Sequence, residues 1–466
     1  MSRFMRSLTT VLSVVVLLAM LVAACRPAAP APSQEPTQEA PPARQGATPT
    51  VPKASTPAQG AKSEPVGETE ITVWYFDKES MEIAIPLFEK AHPNIKVNFV
   101  HQPFGDMSKK YLAALAAKSG VPDVIGLDTS MVGRFLDAGE NLLAEPYNAD
   151  QFRQDFVDWK FNATVTPDGQ MPAFPWDVAT GVMFYRADVF EQAGLPTEPE
   201  AVAKALATWE DFIKAGQQIR ERTGGKSAIV GSAKDVFYAA FWQNGGNIVV
   251  GNEIAFVKEG LEPLKLAIQA EQANIGAKVP AWSERWAPSL KNGQIATIVM
   301  GAWMLGNLKT NIDANGAGKW RVTAAPGGAF NNGGTYLQIP KLSENKAAAW
   351  EFIRFLTTNP EVQNAIFEKT GIVPAYKPAW NSPIYDQPVE YLGGQKAWKL
   401  IVELAQQVKP HTYSAVDALG NDLLNAQVDA AIAGRVSPEQ ALMTAANQLK
   451  ERAARTANVE LTIGGS

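Results

Sequence analysis

Residues 70 to 128 alternate strand and helix patterns, and this order restricts the possible folds more than any other part of the chain. Three short segments, 71–75, 95–99 and 124–127, are rich in β-branched and aromatic residues, and the first two alternate apolar with polar positions. Between them, apolar residues recur at helical spacing. Those residues are Met81, Leu87, Phe88, Met107, Tyr111, Leu112 and Leu115. Strand, helix, strand, helix, strand predicts an α/β fold with a largely parallel sheet.

Size and charge narrow the class of protein. The chain has 466 residues, 46% hydrophobic and 19% charged, which is typical of a soluble globular protein with two or three domains. The formal net charge is −5, and it becomes −7 if Arg3 and Arg6 are removed (−5 minus two positive charges). The basic residues are spread singly among acidic ones. Because a surface that follows phosphates needs clustered Lys and Arg, the composition argues against a nucleic-acid partner.

The N-terminus predicts export. Arg3 and Arg6 precede an uncharged apolar run, 8–24, and the next residue, Cys25, is the only cysteine of the chain. A basic start, a short apolar run and small residues before a cut describe a secretory signal. Residues 22–25, Val-Ala-Ala-Cys, resemble a bacterial lipobox, in which the cysteine is acylated and becomes the new N-terminus. We therefore expect residues 1–24 to be a lipoprotein signal peptide and Cys25 to be lipidated, with an ordinary signal peptide as the alternative.

A Pro-rich segment follows the cysteine. Residues 25–66 contain ten prolines mixed with Ala, Gln, Ser and Thr, and they contain almost no large apolar residue. Such a composition does not bury enough surface to fold. We expect a disordered tether between a membrane and a globular body. With Cys25 lipidated, no thiol remains for a disulfide, a metal site or a nucleophile.

Several motifs carry a family resemblance over residues 70 to 443. They resemble, in order, the motifs of the bacterial extracellular solute-binding proteins of the maltose-binding type. The segments are 88–97 (FEKAHPNIKV), 119–125 (SGVPDVI), 181–195 (GVMFY to AGL), 208–212 (TWEDF), 346–361 (KAAAWEFIRFL to NPE) and 370–374 (TGIVP). One position departs from the pattern, because Arg186 stands where the family usually has Asn after the tyrosine.

The resemblance implies a two-lobed α/β fold of the periplasmic-binding-protein type (type II), with the ligand in a cleft between lobes joined by hinge crossings. Pro- and Gly-rich segments suit hinges. We place the crossings near 174–179, 324–328 and 376–380. Lobe one then holds 67–175 and 326–377, and lobe two holds 176–325 and 378–466.

The resemblance also implies the function. We expect a monomeric, lipid-anchored protein on the outer face of the cell membrane that binds a sugar and delivers it to the permease of an ABC importer. A neutral oligosaccharide is the expected ligand, and no cofactor, metal or catalysis is expected.

Aromatic rings beside carboxylates and amides suit a sugar, which presents flat C–H faces and hydroxyl edges. Candidate ligand-binding residues are therefore expected at strand ends and crossings. They are Trp74, Asp128, Trp176, Asp177, Asp235, Trp303 and Gly334. Gly301-Ala302-Trp303 resembles the family's Gly-x-Trp element, whose tryptophan stacks on sugar. For each residue, packing in the core is the alternative interpretation.

Three other functions stay open at this point. A surface glycosidase needs two carboxylates, and any chain of this size has enough acidic residues to supply them. No H-E-x-x-H, G-x-S-x-G or G-x-G-x-x-G pattern occurs, however. A polyamine-binding protein of the same fold would use carboxylates between aromatic walls. A glycan-binding adhesin would share the sugar site without a permease.

Overall fold

The computed structural model describes residues 69–464. The predicted signal peptide, Cys25 and the whole of the predicted tether lie outside the described residues. Two main sheets organise the described chain, one of five strands and one of three. In the described range, no helix is both long and apolar enough to cross a membrane.

The five-stranded sheet contains the predicted α/β unit. Its strands are β1 (Thr69–Tyr75), β2 (Ile95–His101), β3 (Val124–Asp128), β4 (Phe174–Pro175) and β11 (Thr335–Gln338). The order is β2-β1-β3-β11-β4, in which β1 is parallel to β2 and β3, whereas β11 is antiparallel to β3 and β4. The α/β prediction is confirmed, and the sheet is mixed because a strand from a distant part of the chain enters it.

The three-stranded sheet is antiparallel throughout. It contains β6 (Gly181–Arg186), β9 (Thr297–Gly301) and β10 (Trp320–Thr323), with β6 in the centre. The smaller strands form two further sheets. They are β5 (Asp177–Val178), which pairs with β12 (Val373–Pro374), and β7 (Val249–Val250), β8 (Glu253–Ile254) and β13 (Thr462–Ile463).

Helices surround both main sheets, and side-chain caps define several of their starts. Thr208 accepts a hydrogen bond from the backbone N–H of Asp211 at 3.1 Å, as the sequence predicts for a helix N-cap. The α-helices are α1 (Lys78–Ala91), α2 (Phe104–Ala117), α3 (Thr129–Val132), α4 (Asp158–Asn162), α5 (Ala187–Ala193), α6 (Pro199–Ala205), α7 (Trp209–Arg222), α8 (Ala233–Gln243), α9 (Phe256–Glu259), α10 (Leu261–Gln272), α11 (Trp286–Lys291), α12 (Met304–Asn307), α13 (Lys346–Thr358), α14 (Pro360–Thr370), α15 (Ala397–Ala405), α16 (Asp417–Ile432) and α17 (Pro438–Ala457).

The chain passes between the two main sheets at places close to the predicted crossings. It leaves the five-stranded sheet at β4 and enters the three-stranded sheet at β6, and it returns between β10 and β11. Strand β5 lies in the first of these passages. It pairs with β12, which lies just before the third predicted crossing, 376–380. Segment 376–380 contains the start of a 3-10 helix, Lys377–Asn381.

Candidate functional site

One loop links the two main sheets. Residues 331–334, Asn-Asn-Gly-Gly and called here the Asn-Gly loop, lie just before β11. The N–H of Asn332 donates to the carbonyl of Ala179 at 2.9 Å, and the N–H of Thr129 donates to the carbonyl of Gly334 at 3.0 Å. The loop therefore joins the first passage between the sheets to the end of β3.

The same loop positions Trp303, which follows β9. The indole Nε1–H of Trp303 donates to the backbone carbonyl of Asn332 at 2.7 Å, and the N–H of Gly301 donates to the Oδ1 of Asn332 at 3.0 Å. A Cβ placed on Gly333 would lie 3.4 Å from the Trp303 Nε1 and 3.8 Å from the Oδ2 of Asp128. Trp303 and Asp128, which come from different sheets, thus flank one glycine.

Asp128 ends β3 and caps α3. Its Oδ1 accepts hydrogen bonds from the N–H of Ser130 at 2.8 Å and from the hydroxyl of Ser130 at 2.6 Å. Burial raises the pKa of the Asp128 carboxyl, and the bonds from Ser130 oppose that rise. The carboxylate is a strong hydrogen-bond acceptor beside the Trp303 ring, the combination that a sugar hydroxyl and its C–H face require.

Two buried charges lie on the other side of the Asn-Gly loop. Asp177 accepts the N–H of Thr335 at 2.7 Å, and a Cβ on Gly334 would lie 3.0 Å from the Nζ of Lys160. Lys160 is fully buried with its Nζ 3.7 Å from the centroid of the Tyr336 ring. Burial raises the pKa of Asp177 and lowers that of Lys160, while the attraction between the two opposite charges opposes both shifts.

Trp176 is fully buried beside Asp177. Its ring centroid is 4.9 Å from that of Tyr75, whose hydroxyl makes a hydrogen bond of 3.2 Å with the Oγ1 of Thr335. Within residues 69–464, three buried polar atoms of this region have no hydrogen-bond partner: Lys160 Nζ, Trp176 Nε1 and Thr180 Oγ1. Because buried polar atoms are nearly always satisfied, such a group of exceptions is typical of a functional site.

Two of the seven candidate residues lie apart from this group. Trp74 points to the opposite face of β1 from Tyr75 and packs with the cluster of Met107 and Tyr111. Asp235 belongs to a capping box at the start of α8, where its Oδ2 accepts the N–H of Ser232 at 3.0 Å. The structure brings together the other five, which are Asp128, Trp176, Asp177, Trp303 and Gly334.

Several residues of the region were not among the sequence candidates. Asn332 could have been found, because it directly precedes a Gly-Gly pair. Lys160 carries no signal in the sequence, since it is one of 42 basic residues. Tyr413 also reaches the region from the C-terminal part of the chain, and its ring centroid is 5.7 Å from that of Tyr336.

Two open cavities lie beside the loop that precedes β9 and contains Gln294. Their volumes are about 560 and 430 Å³, and Lys226, Ser227 and Gln294 line both. Arg186, which lines the smaller one, ends β6, whereas Gly181 at the other end of that strand pairs with Gly301. The smaller cavity is therefore separated by the length of the strand from Trp303 and the Asn-Gly loop, whereas the larger one is also lined by Val279, Glu284 and Arg285, which flank Trp282 in the chain. No group of acidic, His or Cys side chains in the described part of the chain has the arrangement of a metal site.

Comparison with known proteins places the chain among binding proteins. A family model described as bacterial extracellular solute-binding protein matches residues 84–393. The arabinooligosaccharide-binding protein of Bacillus subtilis is 25% identical over 419 residues, which are 83% of this chain and 93% of that protein. The lactose-binding protein of Rhizobium radiobacter is 24% identical over 74% of this chain and 84% of its own length.

Solved structures agree on the fold. A crystal structure of an extracellular solute-binding protein of family 1 superposes with a TM-score of 0.75 at 26% identity, over 83% of this chain and all of that chain (100%). The ABC-transporter-associated binding protein of B. animalis subsp. lactis, solved with β-1,6-galactobiose, gives a TM-score of 0.67 at 23% identity, over 86% of this chain and 100% of its own. The predicted two-lobed type II fold is confirmed.

Proposed function

The chain belongs to the bacterial extracellular solute-binding proteins, and from this membership we propose that it binds a carbohydrate outside the cell and delivers it to the permease of an ABC importer. The relatives named for arabinooligosaccharides and lactose support a sugar as the ligand. We propose that the ligand lies between lobe one (67–175 and 326–377) and lobe two (176–325 and 378–466), and that binding closes the lobes without chemistry.

One observation carries the proposal. The half-buried ring of Trp303 is held beside Asp128 by the hydrogen bond from its Nε1 to the carbonyl of Asn332. An aromatic face with an adjacent carboxylate offers both stacking and hydrogen bonding to a pyranose or furanose ring. Since the two residues come from different lobes of the proposed division, a ligand that contacts both favours the closed state.

Charge favours a neutral ligand. The cluster contains two carboxyl groups, Asp128 and Asp177, and one basic group, Lys160, whose charge partly opposes the rise that burial causes in the pKa of each carboxyl. An anionic ligand would require a surplus of basic groups, which this cluster does not offer. A polyamine is the second candidate, because the two carboxylates near Trp303 would also suit a cation.

Calorimetry on Trp303→Ala tests the proposal. For a stacked sugar, we expect affinity to fall by about 1–3 kcal/mol, because the burial and ring contact are lost. The affinity of the unmodified protein should hardly change with ionic strength, since no ion pair is screened. The matched control is Trp398→Ala, which removes a half-buried ring that packs against Phe367 instead, and it should bind sugar as the parent does.

Arabinooligosaccharides, maltotriose, lactose and spermidine would be titrated at low and high salt. Full sugar affinity without the Trp303 ring would contradict the stacked-sugar site. If spermidine binds, and its affinity falls steeply with salt and in Asp128→Asn, the ligand is a polyamine and not a sugar.

We also propose that Cys25 anchors the protein to the membrane through acyl chains. The apolar run and the small residues before this lone cysteine support that location. Cys25→Ala should move the protein from the membrane fraction to the soluble extracytoplasmic fraction, because a single lost modification removes every acyl chain. Ser33→Ala, a change in the predicted tether, is the control and should stay with membranes. Unchanged fractionation of Cys25→Ala would contradict lipid anchoring and leave the sugar proposal intact.

A further inference from the structure

Lys160, in α4, is the only lysine among residues 69–464 whose side chain is buried, and it is buried completely. Arg186, the other buried basic residue in this range, forms a salt bridge of 2.6 Å with Asp188, whereas the Nζ of Lys160 has no hydrogen-bond partner in the described part of the chain. Lysine is rarely buried without a partner, because an ammonium group loses strong hydration inside a protein. The charge of Lys160 therefore requires compensation from charged groups that it does not bond directly.

The ammonium group of Lys160 lies against the Asn-Gly loop and the strand that follows it. Its Nζ is 3.7 Å from the centroid of the Tyr336 ring, whose face attracts a cation. The hydroxyl of Tyr336 also donates to the backbone carbonyl of Lys160 at 3.2 Å, so α4 and β11 are joined twice at this point. A Cβ on Gly334 would lie only 3.0 Å from the Nζ, which shows how closely the loop approaches the ammonium group.

Two carboxyl groups flank the same loop. Asp177 accepts the N–H of Thr335, the residue directly after the loop, at 2.7 Å. Asp128 is opposite Thr335 in the register of β3 and β11. Burial lowers the pKa of Lys160, and attraction to Asp177, followed by attraction to Asp128, opposes that change. The charge of Lys160 is thus compensated across the loop, by Asp177 first and by Asp128 second.

The position of this loop determines the position of Trp303. The indole Nε1–H of Trp303 donates to the carbonyl of Asn332 at 2.7 Å, and the N–H of Gly301, which ends β9, donates to the Oδ1 of Asn332 at 3.0 Å. Because Asn332 belongs to the loop, a displacement of the loop also changes the distance between Trp303 and Asp128.

We propose that Lys160 is a positioning residue of the candidate site: its ammonium group, compensated by Asp177, holds the Asn-Gly loop in place and thereby fixes Trp303 beside Asp128. Lys160 does not touch the ligand, since its side chain is fully buried. The effect of Lys160 on affinity rests on the proposed carbohydrate function, whereas its effect on the loop requires no ligand.

Hydrogen–deuterium exchange of residues 331–335 in the ligand-free protein tests the effect on the loop. The variants are Lys160→Met, which keeps an unbranched side chain without the charge, Asp177→Asn, which keeps an acceptor for the N–H of Thr335, and the double variant. We expect exchange in Lys160→Met to be faster on the order of tenfold, because removal of one partner leaves buried charge uncompensated. The double variant should exchange more slowly than Lys160→Met, since it removes both members of the pair. Lys226→Met, at an exposed lysine, is the control and should exchange as the parent does.

Calorimetry of the same variants with arabinooligosaccharides and maltotriose tests the effect on the site. Affinity should fall on the order of tenfold in Lys160→Met and recover in part in the double variant, because the two substitutions act on one charge pair. A contribution of Lys160 by packing alone would give losses that add, and additive losses would overturn the proposal. If Lys160→Met does not fold, a folded double variant supports charge compensation and an unfolded one contradicts it.

Two further outcomes separate this inference from the proposed function. Parent-like exchange of the loop in Lys160→Met, or faster exchange with unchanged sugar affinity, would show that Lys160 does not position the site and would leave the sugar function intact. Failure of the unmodified protein to bind either kind of sugar would count against the proposed function, while the exchange measurements would still decide whether Lys160 holds the loop.

Discussion

Two partly buried carboxyl groups at helix starts make the stability of this protein depend on pH. Asp235 at the start of α8 and Asp417 at the start of α16 each accept hydrogen bonds from a serine three residues earlier. Burial nevertheless raises the pKa of each to about 6, against 3.8 for an unperturbed aspartate, because the bonds only partly offset the loss of hydration. The folded protein therefore holds a proton at a pH where the unfolded chain has released it.

The variant Asp235→Asn tests the pH dependence of stability that is due to the Asp235 carboxyl. Because the pKa of the Asp235 carboxyl is higher in the folded than in the unfolded protein, this group stabilises the fold fully below about pH 4. That stabilisation, on the order of 1–3 kcal/mol, is lost as the pH rises through about 6. Asparagine keeps an acceptor for the N–H of Ser232 but does not titrate. We expect the free energy of unfolding of the variant, minus that of the parent, to increase by this amount between about pH 4 and about pH 7 in urea titrations.

The control for this experiment has the opposite sign. Asp211 lies at the surface, and the hydroxyl of Thr208 lowers its pKa. The contribution of Asp211 to stability is present at neutral pH and disappears in acid. The free energy of unfolding of Asp211→Asn, minus that of the parent, should therefore decrease with rising pH. A pH-independent difference for Asp235→Asn would show that its carboxyl is not held protonated by burial.

At the scale of elements, the Asn-Gly loop depends on its two glycines. Gly333 and Gly334 have φ of +111° and +88°, a region that residues with a Cβ avoid. At Gly334 there is also no room, since a Cβ would lie 2.9 Å from the carbonyl oxygen of Asp177 and 3.0 Å from the Nζ of Lys160. The close approach of the loop to the backbone of Asp177 and to the buried ammonium group of Lys160 explains why the chain has glycine there.

Gly334→Ala should lower the free energy of unfolding by about 2–4 kcal/mol, because strain and overlap add. Gly169→Ala is the matched control, with φ of +79° and no atom within 4 Å of the added Cβ, and it should cost only about 1–2 kcal/mol. Chemical denaturation of both variants measures the difference. Equal losses would mean that the loop has room to move away from Asp177.

At the scale of the whole molecule, the C-terminal part of the chain reaches back to the five-stranded sheet. A Cβ on Gly133, in the 3-10 helix Gly133–Ala138, would lie 2.4 Å from the carbonyl oxygen of Ser414. The adjacent Tyr413 packs edge-on against Tyr336 of β11. These contacts join segments on opposite sides of the proposed hinge, so their making or breaking accompanies any movement of one lobe relative to the other.

We expect ligand binding to make the protein more compact. Small-angle X-ray scattering with a saturating sugar should give a smaller radius of gyration than without it, because the ligand stabilises the closed state over the open one. Mass spectrometry should recover the sugar intact. Trp303→Ala at the same sugar concentration should show less compaction. Cleaved sugar in the parent sample would indicate a glycosidase instead of a binding protein.

The sequence alone was sufficient for features that depend on near neighbours. Alternating and helical apolar spacing predicted β1 to β3 with α1 and α2 to within a few residues, because each pattern reflects burial of one face of a single element. The Thr208 cap is predictable for the same reason, since a Thr followed three residues later by Asp is typical of a helix start. Family motifs in order along the chain predicted the two-lobed fold.

Only the tertiary structure decided which side chains share the candidate site. Tyr75 reaches Trp176 and Trp74 does not, because adjacent residues of a strand face opposite sides of the sheet. Lys160 meets the Asn-Gly loop across more than 170 residues of chain, and no local pattern encodes such a contact. Asp235 and Asp128 are both candidate site residues in the sequence. Only Asp128 lies at the junction of the two sheets, because long-range strand pairing brings β3 and β11 together there.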